Sequence, residues 1–143
     1  MRLETALVNS TGDITNSIPV SASNPLPVSL SNSGSRALKG SQFTTITAST
    51  SETTVVTAVA ATYLDVYGVI AENTSATASK VTFKNATGGT TMFEIYVPAG
   101  ETRGFMLPSS DGFKQAAVNN NWTATCGTSV SSIVISVLFV KNS

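Results

Sequence analysis

The sequence predicts an all-β protein: an antiparallel β-sandwich, jelly-roll-like with an immunoglobulin-like sandwich as the alternative, entered through an extended N-terminal arm. From Gln42 onward, short runs of β-branched and aromatic residues recur at close spacing between Gly, Pro, Ser and Asn turns. No stretch repeats its apolar residues at the period of a helix. Residues 1–41 have a different texture, rich in Ser, Asn and Pro with isolated apolar residues. The chain of 143 residues therefore divides into an arm over 1–41 and a β-domain over 42–143, with eight or nine strands expected in the latter.

Within the arm, Ile18-Pro19-Val20-Ser21 is echoed eight residues later by Leu26-Pro27-Val28-Ser29. Proline fixes φ at about −65° and pushes its predecessor to extended backbone, so both tetrapeptides are expected to be extended. The missing amide donor excludes them from the centre of a sheet. Leu3, Leu7, Val8, Ile14, Ile18, Val20, Leu26, Val28 and Leu30 are more apolar anchors than a solvating linker needs, which predicts an arm that orders against a neighbouring subunit. Some 40 extended residues reach about 130 Å. Ser33-Gly34-Ser35 and Lys39-Gly40-Ser41 read as flexible joints.

The strands follow in order. Phe43 to Thr47 and Thr53 to Val59 are β-branched runs separated by Ser49-Thr50-Ser51. Thr62 to Ala71 alternates, with Leu64, Val66, Gly68 and Ile70 on one face and Tyr63, Asp65, Tyr67 and Val69 on the other. Lys80 to Lys84 points Val81 and Phe83 inward. Thr87-Gly88-Gly89-Thr90 is a hairpin signal before Met92 to Val97, and Pro98-Ala99-Gly100 a turn before Thr102 to Leu107. Phe113 to Val118 reads as a short strand or a helical turn. Trp122 to Cys126 and Ser132 to Lys141 complete the set. The run Ile133 to Val140 is apolar on both faces, so its second face needs a cover: the arm, a second subunit or the domain's own loops. At eight residues it is too short to span a bilayer as a helix.

Composition removes most chemistries. The chain holds 8 basic and 8 acidic residues, net charge zero, and no His. That leaves no basic patch for nucleic acid and nothing to draw the chain to an anionic membrane. Without His there is no Ser-His-Asp or Cys-His nucleophile and no His-ligated zinc, and no catalytic residue, cofactor site or metal site is expected. The lone Cys126 reads as a small buried hydrophobe. Met1 to Asn16 lacks the apolar core of a secretory signal. With 20 Ser and 21 Thr against 11 % charged residues, the surface reads as one built to sit against other protein.

The remaining signals are weaker. Four Asn-x-Ser/Thr sequons, at Asn9, Asn73, Asn85 and Asn121, are about what chance supplies in so hydroxyl-rich a chain. Asp65 with Glu72, and Glu94 with Glu101, are carboxylate pairs whose spacing places neither in a common cleft; a small hydrolase using Asp65 or Glu94 is the least supported function. Tyr63, Tyr67, Tyr96 and Trp122 are expected in core or interface packing. Trp122 beside Asn119-Asn120-Asn121 offers a glycan-binding alternative.

The arm Asn24-Pro25-Leu26-Pro27-Val28-Ser29-Leu30-Ser31, the strand Tyr63-Leu64-Asp65-Val66-Tyr67-Gly68-Val69, the hairpin Phe83-Lys84-Asn85-Ala86-Thr87-Gly88-Gly89, and Pro98-Ala99-Gly100-Glu101-Thr102 with Gly104 and Leu107-Pro108 together resemble small virion structural proteins of tailed bacteriophages. The chain is most similar within that group to head-decoration (cement) proteins. The resemblance implies a non-enzymatic virion protein without cofactor, located on the capsid surface and assembled as a homo-oligomer, a trimer. Its partner would be the major capsid protein, with Ile18, Val20, Leu26, Val28 and Leu30 as the capsid-contact candidates. A tail or baseplate module that recognises a host surface glycan is the alternative.

Overall fold

The computed structural model describes residues 38–142. The five capsid-contact candidates, and nearly all of the predicted arm, lie outside the described residues. Among the described residues eight strands form: β1 (Lys39–Ile46), β2 (Thr53–Val56), β3 (Tyr63–Asn73), β4 (Ser79–Lys84), β5 (Thr91–Val97), β6 (Thr102–Met106), β7 (Trp122–Cys126) and β8 (Ile133–Asn142). There is no helix among the described residues.

The pairing is that of one long antiparallel hairpin rolled on itself. β4 pairs with β5, β3 with β6, β2 with β7 and β1 with β8, so the chain folds back about the β4–β5 hairpin. Two further ladders, β3 with β8 and β4 with β7, close the roll. The product is two four-stranded sheets of order β1-β8-β3-β6 and β2-β7-β4-β5. This order is the jelly roll and decides against the immunoglobulin-like alternative.

The core lies between the sheets. Ile46, Val66, Val69, Ile133, Ile135 and Val137 project from the first sheet, and Val55, Val81, Phe83, Val97 and Trp122 from the second, all at 2 % exposure or less. Phe93 anchors the aromatic end of this layer, with ring centroids 4.5 Å from Phe113, 4.7 Å from Phe83 and 5.1 Å from Phe105. Asn73, fully buried, ties two crossovers together: its Nδ2 donates to the Thr77 and Val97 carbonyls, and its Oδ1 accepts from the amide and hydroxyl of Ser75.

Three local expectations are corrected. Lys39-Gly40-Ser41 is not a flexible joint but the start of β1, paired with Val140, Phe139 and Leu138. Its glycine makes room for the Phe139 ring, since a Cβ at Gly40 would stand 2.4 Å from two ring carbons. Phe113 to Val118 is neither strand nor helical turn beyond a single bridge between Phe113 and Val66; the side chain of Gln115 turns inward there and takes the place of further pairing. The strict alternation expected in β3 fails at a bulge between Val66 and Gly68. The bulge moves every later residue to the opposite face, so Val69 is buried and Ile70 is 44 % exposed.

Candidate docking face

Residues directly opposite in an antiparallel ladder share a face, so the register defines the outer surface of the β1-β8-β3-β6 sheet. One row across it reads Phe43, Ser136, Ile70, Gly104, and the next reads Ser41, Leu138, Gly68, Met106. Phe43 is 66 % exposed and Met106 64 %, while Leu138, with Val134 and Val140 along the same strand, is half-buried. This answers the doubly apolar Ile133 to Val140 run: its odd positions enter the core and its even positions run down the middle of the outer face. Leu138 leans over Gly68, where a Cβ would meet its Cδ1 at 3.1 Å. Lys39 and Asp65 border one end, with the Lys39 ammonium 5.9 Å from the Tyr67 ring centroid.

The outer face of the other sheet has the opposite character. Lys80 pairs with Glu94 at 2.8 Å, and Thr82 donates to the same carboxylate at 2.9 Å. The Lys80 and Thr82 hydrogen bonds hold the Glu94 carboxyl below its ordinary pKa. Glu52 accepts from the Thr123 hydroxyl at 2.5 Å and from the Gly88 amide at 3.0 Å, with Lys84 at 3.7 Å. Thr123 leads in lowering the Glu52 pKa, which partial desolvation opposes. Tyr96, 64 % exposed, stands beside Lys80. The protein thus presents one apolar sheet face and one hydrogen-bonded, ion-paired one.

The other sequence candidates are not brought together. Asp65 lies on β3 and Glu94 on β5, in different sheets. Both Asp65 oxygens are committed, Oδ1 to the Gln115 amide at 2.9 Å and Oδ2 to Asn142 Nδ2 at 2.6 Å. Among the described residues, no three His, Cys, Asp or Glu side chains converge in a way that would hold a metal ion. Cys126 is buried and free, and burial pushes its thiol pKa up. Trp122 is fully buried, so it offers no ring to a glycan. Asn119 and Asn121 point their Oδ1 atoms at the Ala61 and Ala58 amides and clamp the β2–β3 connection, and the proposed Trp122 glycan loop is a structural clamp instead. An open groove of about 450 Å³ runs between the start of β3 and the β6–β7 loop, edged by Tyr63, Asp65, Lys114 and Asn142. It lies at the Lys39 end of the apolar face.

No protein-family model and no curated protein matches the chain. Similar solved structures include a Bacillus endospore appendage from a family of disulfide-linked pili, at 14 % identity and TM-score 0.42, covering 72 % of this chain and 87 % of that one. The Tobacco streak virus coat protein is 8 % identical at TM-score 0.34, covering 72 % and 88 %. A protein of infectious bursal disease virus, Gx strain, is 13 % identical at TM-score 0.18, covering 72 % and 37 %. These likenesses concern the fold and carry no residue roles to this chain.

Proposed function

We propose that this chain is a non-enzymatic structural protein of a virion, a bacteriophage capsid decoration protein that coats the head as a homo-oligomer bound to the major capsid protein. The observation that carries this reading is the segregation of the two sheet faces. Phe43, Ile70 and Met106 stand exposed on one side, and the Lys80–Glu94 and Lys84–Glu52 pairs lie on the other. A patch of several large apolar side chains on a charge-poor surface marks a protein-binding face, whereas ion-paired Thr-rich strands suit water. The carboxylates Asp65 and Glu52 are occupied by structural donors, which supports attachment over hydrolysis.

In this reading the work is mechanical. The β-domain supplies a rigid body, and Ile18, Val20, Leu26, Val28 and Leu30 grip neighbouring capsid subunits, each aliphatic side chain contributing about 1–3 kcal/mol on burial. Repetition over the shell adds avidity. The test is co-sedimentation of the purified protein with capsids stripped of it, with antibody labelling of intact particles. Saturable binding at a fixed copy number per capsomer, and label on the head, are the expected results. Label on the tail alone, or retention on a glycan array without capsid binding, would transfer the protein to the tail-module alternative.

A further inference from the structure

We propose that the outer face of the β1-β8-β3-β6 sheet is a self-pairing surface that takes the same face of a second copy about a two-fold axis parallel to the strands. This deepens the decoration reading by giving the sheet face to self-association and leaving the arm for the capsid. The central two rows alternate large and small in opposite phase: Phe43, Ser136, Ile70, Gly104 over Ser41, Leu138, Gly68, Met106. Rotation about a strand-parallel dyad between β8 and β3 lays β1 over β6 and β8 over β3. Phe43 then faces the partner's Gly104, Ile70 faces the partner's Ser136, and Met106 faces the partner's Ser41, each contact occurring twice. Leu138, leaning over Gly68, meets its own symmetry mate near the axis. A surface whose knobs find hollows in itself is the requirement of an isologous interface.

Charge selects this axis over the other in-plane dyad. A dyad perpendicular to the strands also sets large against small in these two rows, but it lays the Asp65 carboxylate over the partner's Glu72. The strand-parallel dyad sets Glu72 over the partner's Val134, leaving one diagonal Glu72–Glu72 approach of about 11 Å in place of two Asp65–Glu72 overlays, and gathers two Lys39 and two Asp65 at the other end, where their charges cancel. Area sets the strength. Four strands about 4.8 Å apart, over about 20 Å of their length, give roughly 400 Å² of sheet per copy. A pair would bury on the order of 800 Å², below the roughly 1,000 Å² expected of a stable specific interface and in the range of a weak, transient one. The pairing expected is reversible, exchanging at micromolar concentration. A trimer, which the phage resemblance implies, would need a second contact elsewhere.

The experiment uses the full chain without capsids, so its failure leaves capsid attachment, the other half of the decoration reading, standing. Sedimentation velocity from 1 to 200 µM should show the mass rising from one chain toward two. Phe43→Asp and Met106→Asp change exposed side chains, so they should keep the wild-type melt and remain monomeric. Because Cys126 is buried, a thiol added at the face is the reactive one. Sheets stacked about 10 Å apart would put the two copies of residue 136 about 11 Å apart and those of residue 43 about 17 Å apart. A short bismaleimide should therefore join Ser136→Cys chains into dimers and leave Phe43→Cys chains single. A wild-type monomer at 200 µM would overturn the proposal and give the face to another occupant. A dimer that survives both Asp substitutions would overturn it as well, and efficient cross-linking at residue 43 would overturn the axis.

Discussion

The indole Nε1 of Trp122 donates to the main-chain oxygen of Leu64 at 2.6 Å, tying β7 of one sheet to β3 of the other with both residues fully buried. The amide of the same Leu64 donates to Gln115 Oε1 at 2.8 Å. β6 pairs with β3 only from Gly68 onward. The main-chain groups of Leu64 are buried without a strand neighbour on that edge, so two side chains supply the partners that a ladder would have given.

Removing either partner leaves a buried peptide group unpaired. Gln115→Ala and Trp122→Phe should each lower unfolding stability by about 1–3 kcal/mol, seen as a lower urea midpoint at unchanged slope. The double variant should lose less than the sum, because both side chains serve the main chain of one residue and share their surroundings.

Acid should act through Glu52. Its folded pKa lies below the ordinary 4.5 because Thr123 and the Gly88 amide donate to the carboxylate. At acid pH the unfolded chain therefore binds more protons at this group than the folded one. The stabilisation is fully present above the ordinary value and fades as pH falls through the folded pKa. Urea midpoints measured from pH 7 down to pH 3 should decline, and Glu52→Gln should start lower and decline less. The exposed Glu94 carboxylate, paired with Lys80, shifts in the same direction, but its effect should weaken with added salt.

Two glycines sit where a methyl has no room. At Gly104 an added Cβ would lie 2.2 Å from the Val69 carbonyl oxygen, which is backbone, while at Gly40 it meets the Phe139 ring, which can turn. Gly40→Ala should cost about 1–3 kcal/mol and Gly104→Ala more, both read from thermal or urea melts.

Gly40 also shows where the sequence was legible and where it was not. Alternation and turn residues located all eight described strands, though not the true start of β1, because a pleated strand with one buried face leaves a local mark in the chain. The reason for Gly40 lies 99 positions away in Phe139, and no local pattern carries it. The bulge in β3 is hidden in the same way: Tyr67 looks like any alternating residue, yet it sets whether Val69 or Ile70 faces the core. The apolar face could not be read from the chain for that reason, although the excess of apolar residues in β8 showed that some cover was needed. Trp122 lies in the core, as expected of it; the glycan alternative stayed open because nothing local distinguishes an exposed ring from one whose N–H is held by Leu64.

The arm gives the last prediction. Because β1 starts at Lys39, a cut meant to spare the sandwich must fall after Ala37, not after Gly40, or it removes the residues paired with Val140 and Phe139. A chain lacking residues 1–37 should retain the full-length melt, since the described strands satisfy one another's ladders without it. On the decoration reading it should no longer sediment with stripped capsids. Leu26→Ser and Val28→Ser should each weaken attachment by about 1–3 kcal/mol, the scale of returning one aliphatic side chain to water. Multivalency on the shell masks a single loss, so the paired variant is the one to score. Undiminished binding by the truncated chain would move capsid attachment to the β-domain, and the first surface to probe there would be the ion-paired face carrying Lys80, Thr82 and Glu94.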